Sequence, residues 1–135
     1  MGWVYVGADV HLRIDNLPGT PCEEDPDVPP VDQVRDLIGA FLRGETLIAG
    51  RDYKNMDRRR GLWKWKTRTV RMGGFYLDQF HFVIVHLDYA LRMKSAGRSV
   101  PDREREFSQA TRDAVEGMGF TQLVWMTQDP YNDKL

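Results

Sequence analysis

Residues 3–15 alternate between aliphatic side chains and a second set that is aromatic, polar or charged. From Trp3 to Asp15 every second residue is apolar, and a period of two is typical of a strand with one buried face. We therefore predict a strand over residues 3–15. Its apolar side would face the core, so Trp3 and Tyr5 would lie on the opposite, open face of the sheet.

Two later segments place their apolar residues at helical spacing. Residues 31–43 repeat apolar side chains every three to four positions, which predicts a first helix, with Gly44 as a candidate for its C-terminal cap. A second helix is predicted to begin at Ser99, which is followed by Pro101, and to end at Gly117. Both helices would carry one apolar stripe and one charged face.

Three further segments have the pattern of strands. Residues 62–72 alternate, residues 75–87 form a mostly apolar run, and residues 120–128 resemble a last strand. The glycine pair at 73–74 separates the first two of these, which predicts a tight hairpin. The lysines of the first segment, Lys64 and Lys66, would lie on the face opposite its tryptophans.

The resulting order of elements is β-α-β-β-α-β. That order is typical of the ferredoxin-like split βαβ arrangement, an α+β fold with a four-stranded antiparallel sheet and two helices on one face. We predict one domain over residues 1–135, because this length suits one hydrophobic core. An irregular, acidic, proline-rich loop at 16–30 and a polar tail at 129–135 complete it.

Charge is distributed unevenly although the net charge is only −1. Residues 51–71 include nine Lys or Arg and two Asp. Residues 15–34, in contrast, include six acidic residues and no Lys or Arg. Cations close to aromatic side chains suit an acidic protein surface or a polyanion. The predicted contact residues are Arg58, Arg59, Arg60, Lys64, Lys66, Arg68, Trp3 and Tyr5.

No complete catalytic or cofactor motif is present, so we predict no catalytic residues, no cofactor and no metal site. His81 and His86 lie five apart on a predicted strand and would point to opposite faces. A lone cysteine, Cys22, indicates a reducing compartment, and no segment is apolar enough for a leader or a membrane span. We expect a soluble cytoplasmic protein.

The favoured function is therefore a non-enzymatic binding or regulatory module, of the adaptor or inhibitor type and compatible with a phage-encoded one. It would act on a protein partner through its charged surfaces, and a second copy of the chain could cover the open sheet face. The alternative is nucleic-acid binding by residues 51–71. In that case bases would stack on exposed aromatic rings while Lys and Arg neutralise phosphates.

A second alternative comes from a partial resemblance. GLWKWKTR at 61–68, HFVIVHLDYALRMKS at 81–95 and PDREREFSQA at 101–110 resemble the latter half of the RelE-type ribosome-dependent ribonuclease toxins. The resemblance implies mRNA cleavage by a short set of basic and aromatic side chains. The matching positions here are His86, Tyr89, Arg92 and Lys94.

Overall fold

Five strands and three helices make up the part of the chain that the computed structural model describes, namely residues 2–17, 28–57, 61–90 and 99–118. In chain order these elements are β1 Trp3–Val6, α1 Ala8–Asp15, α2 Pro30–Leu42, β2 Tyr53–Asp57, β3 Leu62–Lys66, β4 Val70–Asp78, β5 His81–Tyr89 and α3 Val100–Gly117.

The strands form one mixed sheet in the order β1-β5-β4-β3-β2. Strands β2 to β5 are an antiparallel meander, whereas β1 pairs with β5 in parallel. The α+β class is confirmed. The sheet differs from the predicted ferredoxin-like arrangement because it has five strands, one parallel pair and helices on both faces.

Two separate cores identify the layers. The larger core packs α1 and α2 on one face of the sheet and includes Trp63 and Trp65, while the smaller core packs α3 on the other face around Phe75 and Val115. Trp65 is fully buried, and its Nε1 donates a hydrogen bond to the Tyr76 hydroxyl at 2.8 Å. The predicted alternation of β3 is thus correct, and its tryptophans are core residues.

The predicted strand at 3–15 is wrong beyond Val6, where the chain enters helix α1. Val10 and Ile14 are each 6% exposed, whereas Leu12 is 64% exposed. Burial at i and i+4 with exposure at i+2 is the signature of a helix, and a strand would bury all three. The pattern misleads because positions four apart share a face under both periods.

The two predicted helices are confirmed with small differences at their ends. Helix α2 begins at Pro30, where a missing N–H costs nothing, and Gly44 follows its last turn with φ of 80°. Helix α3 is capped by Ser99, whose Oγ accepts a hydrogen bond from the Asp102 N–H at 3.3 Å.

The predicted hairpin at the glycine pair is also wrong. The segment 62–72 breaks at residues 67–69, and Gly73 and Gly74 lie inside β4, where its pairing with β5 shifts register. The chain turns instead between Asp78 and His81. The predicted last strand at 120–128 and most of the loop at 16–30 lie outside the described residues.

Candidate functional site

Two exposed rings, Trp3 and Tyr5, stack on the partly buried ring of His81 at one edge of the sheet. The Trp3 and His81 ring centroids are 4.7 Å apart with planes 4° from parallel, and Tyr5 lies 6.2 Å from His81 at 15°. Trp3 is 51% exposed and Tyr5 47%. These three side chains are called the aromatic patch below.

The position of the aromatic patch follows from the period of β1 and its pairing with β5. Val4 and Val6 pack on the larger core, so Trp3 and Tyr5 point to the face that carries α3. The parallel register places Trp3 beside His81. Trp3 and Tyr5 thus lie on the same face and are exposed, as predicted. That face is not free of helices, because α3 packs on another part of it.

An acidic side chain fixes His81 in this stack. The Asp78 Oδ1 lies 2.7 Å from His81 Nδ1 and accepts the Phe80 backbone N–H at 2.8 Å. Partial burial raises the pKa of Asp78, but the contacts with His81 and the Phe80 N–H outweigh it, so this pKa lies below its ordinary value. Two further apolar side chains of the same hairpin, Leu77 and Phe80, are 47% and 46% exposed.

Such a surface is chemically suited to binding rather than to catalysis. Trp and Tyr offer large rigid apolar areas with one polar tip, and both are enriched at protein interfaces. The stacked rings are already ordered, so binding would cost little side-chain entropy.

A second feature lies at the other end of the sheet, between α2, residues 45–52 and residues 66–71. It is a cleft with a cavity volume of about 760 Å³. Its floor includes the apolar side chains of Leu37 and Leu47. Its charged lining residues are Arg51, Lys66, Arg68, Arg71, Asp36, Glu45 and Asp52. This feature is called the basic cleft.

One wall of the basic cleft is built around Asp52. Its carboxylate accepts the Ile48 backbone N–H at 2.8 Å and contacts the Arg51 guanidinium through two hydrogen bonds of 3.0 Å. Burial raises the pKa of Asp52, but the Arg51 guanidinium and the Ile48 N–H outweigh it, so this pKa is lower than ordinary. The Asp52 carbonyl also accepts the Lys66 N–H at 2.8 Å, which joins this wall to β3.

The opposite wall is the turn between β3 and β4. The buried Gln33 side chain accepts hydrogen bonds from the Thr69 hydroxyl at 2.7 Å and the Thr69 N–H at 3.2 Å, so α2 holds the turn in place. Thr67 Oγ1 accepts the Val70 N–H at 2.9 Å. Arg71 Nη1 donates to the Thr67 carbonyl and, at 3.2 Å, to the Val70 carbonyl.

The predicted contact residues thus have different environments. Lys66 is half-buried and Arg68 exposed, and both line the basic cleft. Lys64 instead points under α3, where its side chain is 3% exposed. Residues 58–60, Arg58, Arg59 and Arg60, lie outside the described residues.

Lys64 forms a buried ion pair with α3. Its Nζ donates to Glu104 Oε1 at 2.7 Å and to Oε2 at 2.9 Å. Burial lowers the pKa of Lys64, and Glu104 offsets only part of this effect. Burial raises the pKa of Glu104, but Lys64 outweighs it and the net shift is downward. This lysine ties a helix to the sheet, so it belongs to neither the aromatic patch nor the basic cleft.

Of the four residues implied by the toxin resemblance, the structure describes His86 and Tyr89, and these two do not lie together. The His86 ring contacts Phe107 of α3, at a centroid distance of 5.1 Å, whereas Tyr89 packs on the core under α1 and α2. These two side chains are therefore on opposite faces of the sheet. Arg92 and Lys94 lie outside the described residues.

The sequence pattern did not identify two residues of the basic cleft. It also did not indicate that the aromatic patch and the basic cleft are far apart. Arg51 and Arg71 end the basic segment but were not among the predicted contacts, and both line the basic cleft. Arg71 pairs with Asp88, seven residues along β5 from His81, so the aromatic patch and Arg71 are roughly 23 Å apart along the strand. The basic residues described here and the aromatic rings do not form one continuous surface.

Within the described ranges, no cluster of three or more His, Cys, Asp or Glu is arranged to hold a metal ion. None of the described helices combines the length and apolar character needed to span a membrane.

Comparison with protein-family models, with curated proteins and with solved structures finds no match to this chain.

Proposed function

We propose that this chain is a non-enzymatic binding module, of the adaptor or inhibitor type, that docks a partner protein through the aromatic patch. The observation that carries the proposal is the half-exposed Trp3, stacked on His81 and continuous with Tyr5. A tryptophan is among the residues that contribute most at the centre of protein interfaces.

Exposure of Leu77 and Phe80 at the adjoining hairpin supports the same proposal. Together with Trp3 and Tyr5 they give this end of the sheet several large apolar side chains that are each close to half exposed. Exposed apolar side chains that cluster in this way are typical of interaction sites, whereas scattered ones are ordinary.

A protein partner is favoured over nucleic acid because of where the cations lie. Nucleic-acid binding by stacking needs Lys or Arg beside the rings to neutralise phosphates. Lys66, Arg68 and Arg71 lie toward the opposite end of β5 from the aromatic patch. The ribonuclease alternative is disfavoured, since His86 and Tyr89 lie on opposite faces of the sheet.

The test compares a Trp3→Ala/Tyr5→Ala variant with a Leu12→Ala control. Leu12 is 64% exposed on α1, so the control removes an exposed apolar side chain elsewhere. Proteins captured from the native cells by wild type are identified, and the affinity of each purified candidate is measured. We expect the double variant to lose roughly 30-fold or more in affinity and the control to change little.

An unchanged affinity in the double variant, with its circular dichroism like that of wild type, would remove the aromatic patch as the interface. Two further measurements separate the alternatives. Binding of single-stranded RNA that falls steeply with salt and is lost in the double variant would favour nucleic acid instead. A concentration-dependent dimer in sedimentation, abolished by the same variant, would identify the partner as a second copy of the chain.

A further inference from the structure

Strand β1 lies at one edge of the sheet, and part of its backbone points away from the other strands. The Trp3 N–H donates inward, to the Phe80 carbonyl at 2.7 Å. Backbone groups alternate between the two sides of a strand, so the N–H and C=O groups of Val4 and Val6 point outward. No described residue forms a hydrogen bond with these outward groups. The edge therefore offers a row of donors and acceptors for another strand.

The two edges of the sheet differ in their protection against such pairing. Strand β2, at the opposite edge, carries the exposed Lys54 and has a register shift between Asn55 and Asp57. Lysines and bulges are common means of protecting an edge strand. Strand β1 has no charged residue and no proline, and it pairs with β5 without a register shift. An edge of this kind is open to the addition of a further strand.

The sequence of β1 fits a second copy of itself in antiparallel orientation. A pairing centred on Tyr5 sets Val4 opposite Val6 of the second copy, so each outward N–H meets an outward carbonyl. Trp3 then lies opposite Gly7 of the second copy, and nothing lies within 4 Å of a Cβ added at Gly7, which leaves space for the indole. The uncharged β1 also brings no like charges together. We infer that two copies of this chain pair through their β1 edges and form one continuous sheet.

Pairing at this edge also joins the aromatic patches of the two copies. Directly opposite residues of paired strands share a face, so Trp3 and Tyr5 of both copies form one row of rings across the contact. The inference goes beyond the proposed function, because the backbone edge of β1 makes the contact whether or not the rings bind another protein. The dimer would present such a protein with a doubled aromatic patch.

Sedimentation of the full chain over a range of concentrations tests the inference. We expect a reversible dimer to form between about 1 μM and about 1 mM. Val6→Pro should weaken it roughly 10-fold or more, because proline removes an outward N–H that the pairing of β1 with β5 does not use. Val6→Ala is the matched control. It shortens the side chain but keeps the N–H, so it should dimerise like wild type.

Disulfide trapping tests the register without the use of proline. In a Cys22→Ser background, which removes the native thiol, Tyr5→Cys sets two thiols directly opposite each other. The two Cα atoms would be about 4.5 Å apart, within reach of a disulfide. Trp3→Cys is the control, because the same register separates its two Cα atoms by roughly 14 Å. We expect mild oxidation to give a covalent dimer with Tyr5→Cys and little with Trp3→Cys.

Four results would overturn the inference. A monomer at every concentration would do so, and partner capture that still depends on Trp3 and Tyr5 would then leave the proposed function standing. A dimer that Trp3→Ala/Tyr5→Ala abolishes but Val6→Pro leaves intact would place the contact at the rings. Equal trapping at positions 3 and 5 would exclude the register. Slow hydrogen exchange of the Val4 and Val6 amides in a monomer would show that the same chain covers its own edge.

Discussion

Gly73 lies on β4 directly beneath Thr111 of α3, and its missing side chain allows the helix to approach the sheet. A Cβ at this position would be 2.1 Å from Thr111 Oγ1 and 3.0 Å from Thr111 Cβ. We expect Gly73→Ala to lower the free energy of unfolding by about 1–3 kcal/mol through overpacking. Urea denaturation measures this directly.

Two comparisons test that explanation. Gly117→Ala, where nothing lies within 4 Å of the added Cβ, should be neutral or stabilising by up to about 1 kcal/mol. Thr111→Ala removes the two closest atoms, so Gly73→Ala should cost less in that background. If Gly73→Ala lowered the free energy of unfolding equally in wild type and in Thr111→Ala, contact with α3 would not explain why glycine is needed at position 73.

Lys64 is the residue whose environment departs most from its sequence pattern. Alternation correctly placed it opposite Trp63 and Trp65, but a lysine on that face was expected to meet solvent or a partner. The contact with Glu104, forty positions away, buries it. Nothing in the local sequence identifies a partner at that separation, because the pairing depends on how α3 crosses the sheet.

We expect Glu104→Ala to lower the free energy of unfolding by about 1–3 kcal/mol, since it leaves a buried ammonium group without its counter-ion. The cost is below that of a fully buried pair because the Glu104 side chain is 34% exposed. Lys64→Met, which removes the charge and keeps the volume, should cost less. Glu106 lies on the exposed side of α3. In urea denaturation, Glu106→Ala should therefore change the free energy of unfolding by no more than about 0.5 kcal/mol.

Among the elements, α1 shows why a clean alternating pattern can predict the wrong structure. Val10 and Ile14 are compatible with both periods, and only Leu12 distinguishes them. An exposed leucine is ordinary on a protein surface, so the sequence offers no warning. The chain begins α1 after Gly7, where β1 has already paired with β5.

The helical assignment of α1 predicts unequal effects of two similar substitutions. Ile14→Ala should lower the free energy of unfolding by about 2–4 kcal/mol, because it opens a cavity in the larger core. Leu12→Ala should change it by no more than about 0.5 kcal/mol. Equal and large losses in urea denaturation would instead support the extended strand over residues 3–15.

The glycine pair in β4 is a second case in which the secondary structure could not be predicted without the tertiary contacts. Two glycines between apolar runs normally indicate a turn. Here Gly74 lies against the Val83 carbonyl, where an added Cβ would be 1.8 Å away, at a register shift between β4 and β5. The glycines are required by close approach of neighbouring chain segments, which is invisible until the sheet order is known.

At the scale of the whole molecule, the sequence predicted the α+β class and both long helices but not the sheet. Apolar periodicity within a helix is local, whereas the parallel pairing of β1 with β5 joins residues about eighty positions apart in sequence. The exposure of Trp3 and Tyr5 was predictable, because alternation holds as far as Val6. The basic cleft was not, since it gathers side chains from α2 and from two separate segments of the chain.

Stability of the whole molecule should fall in acid. The folded pKa values of Glu104, Asp52 and Asp78 lie below their ordinary values of 4.5, 3.8 and 3.8. As pH falls through these ordinary values, the unfolded chain takes up protons that the folded chain does not. The free energy of unfolding therefore decreases until the folded pKa values are passed.

We expect urea midpoints to decline between about pH 5 and about pH 3 and to be nearly flat from about pH 5 to pH 7 as far as these carboxyl groups are concerned. Glu104→Gln should be less stable at neutral pH and should lose less on acidification, because its contribution to the proton uptake is gone. A variant whose midpoints decline as steeply as those of wild type would show that the Lys64–Glu104 pair is not a source of the acid sensitivity, and would leave Asp52 and Asp78 to account for it.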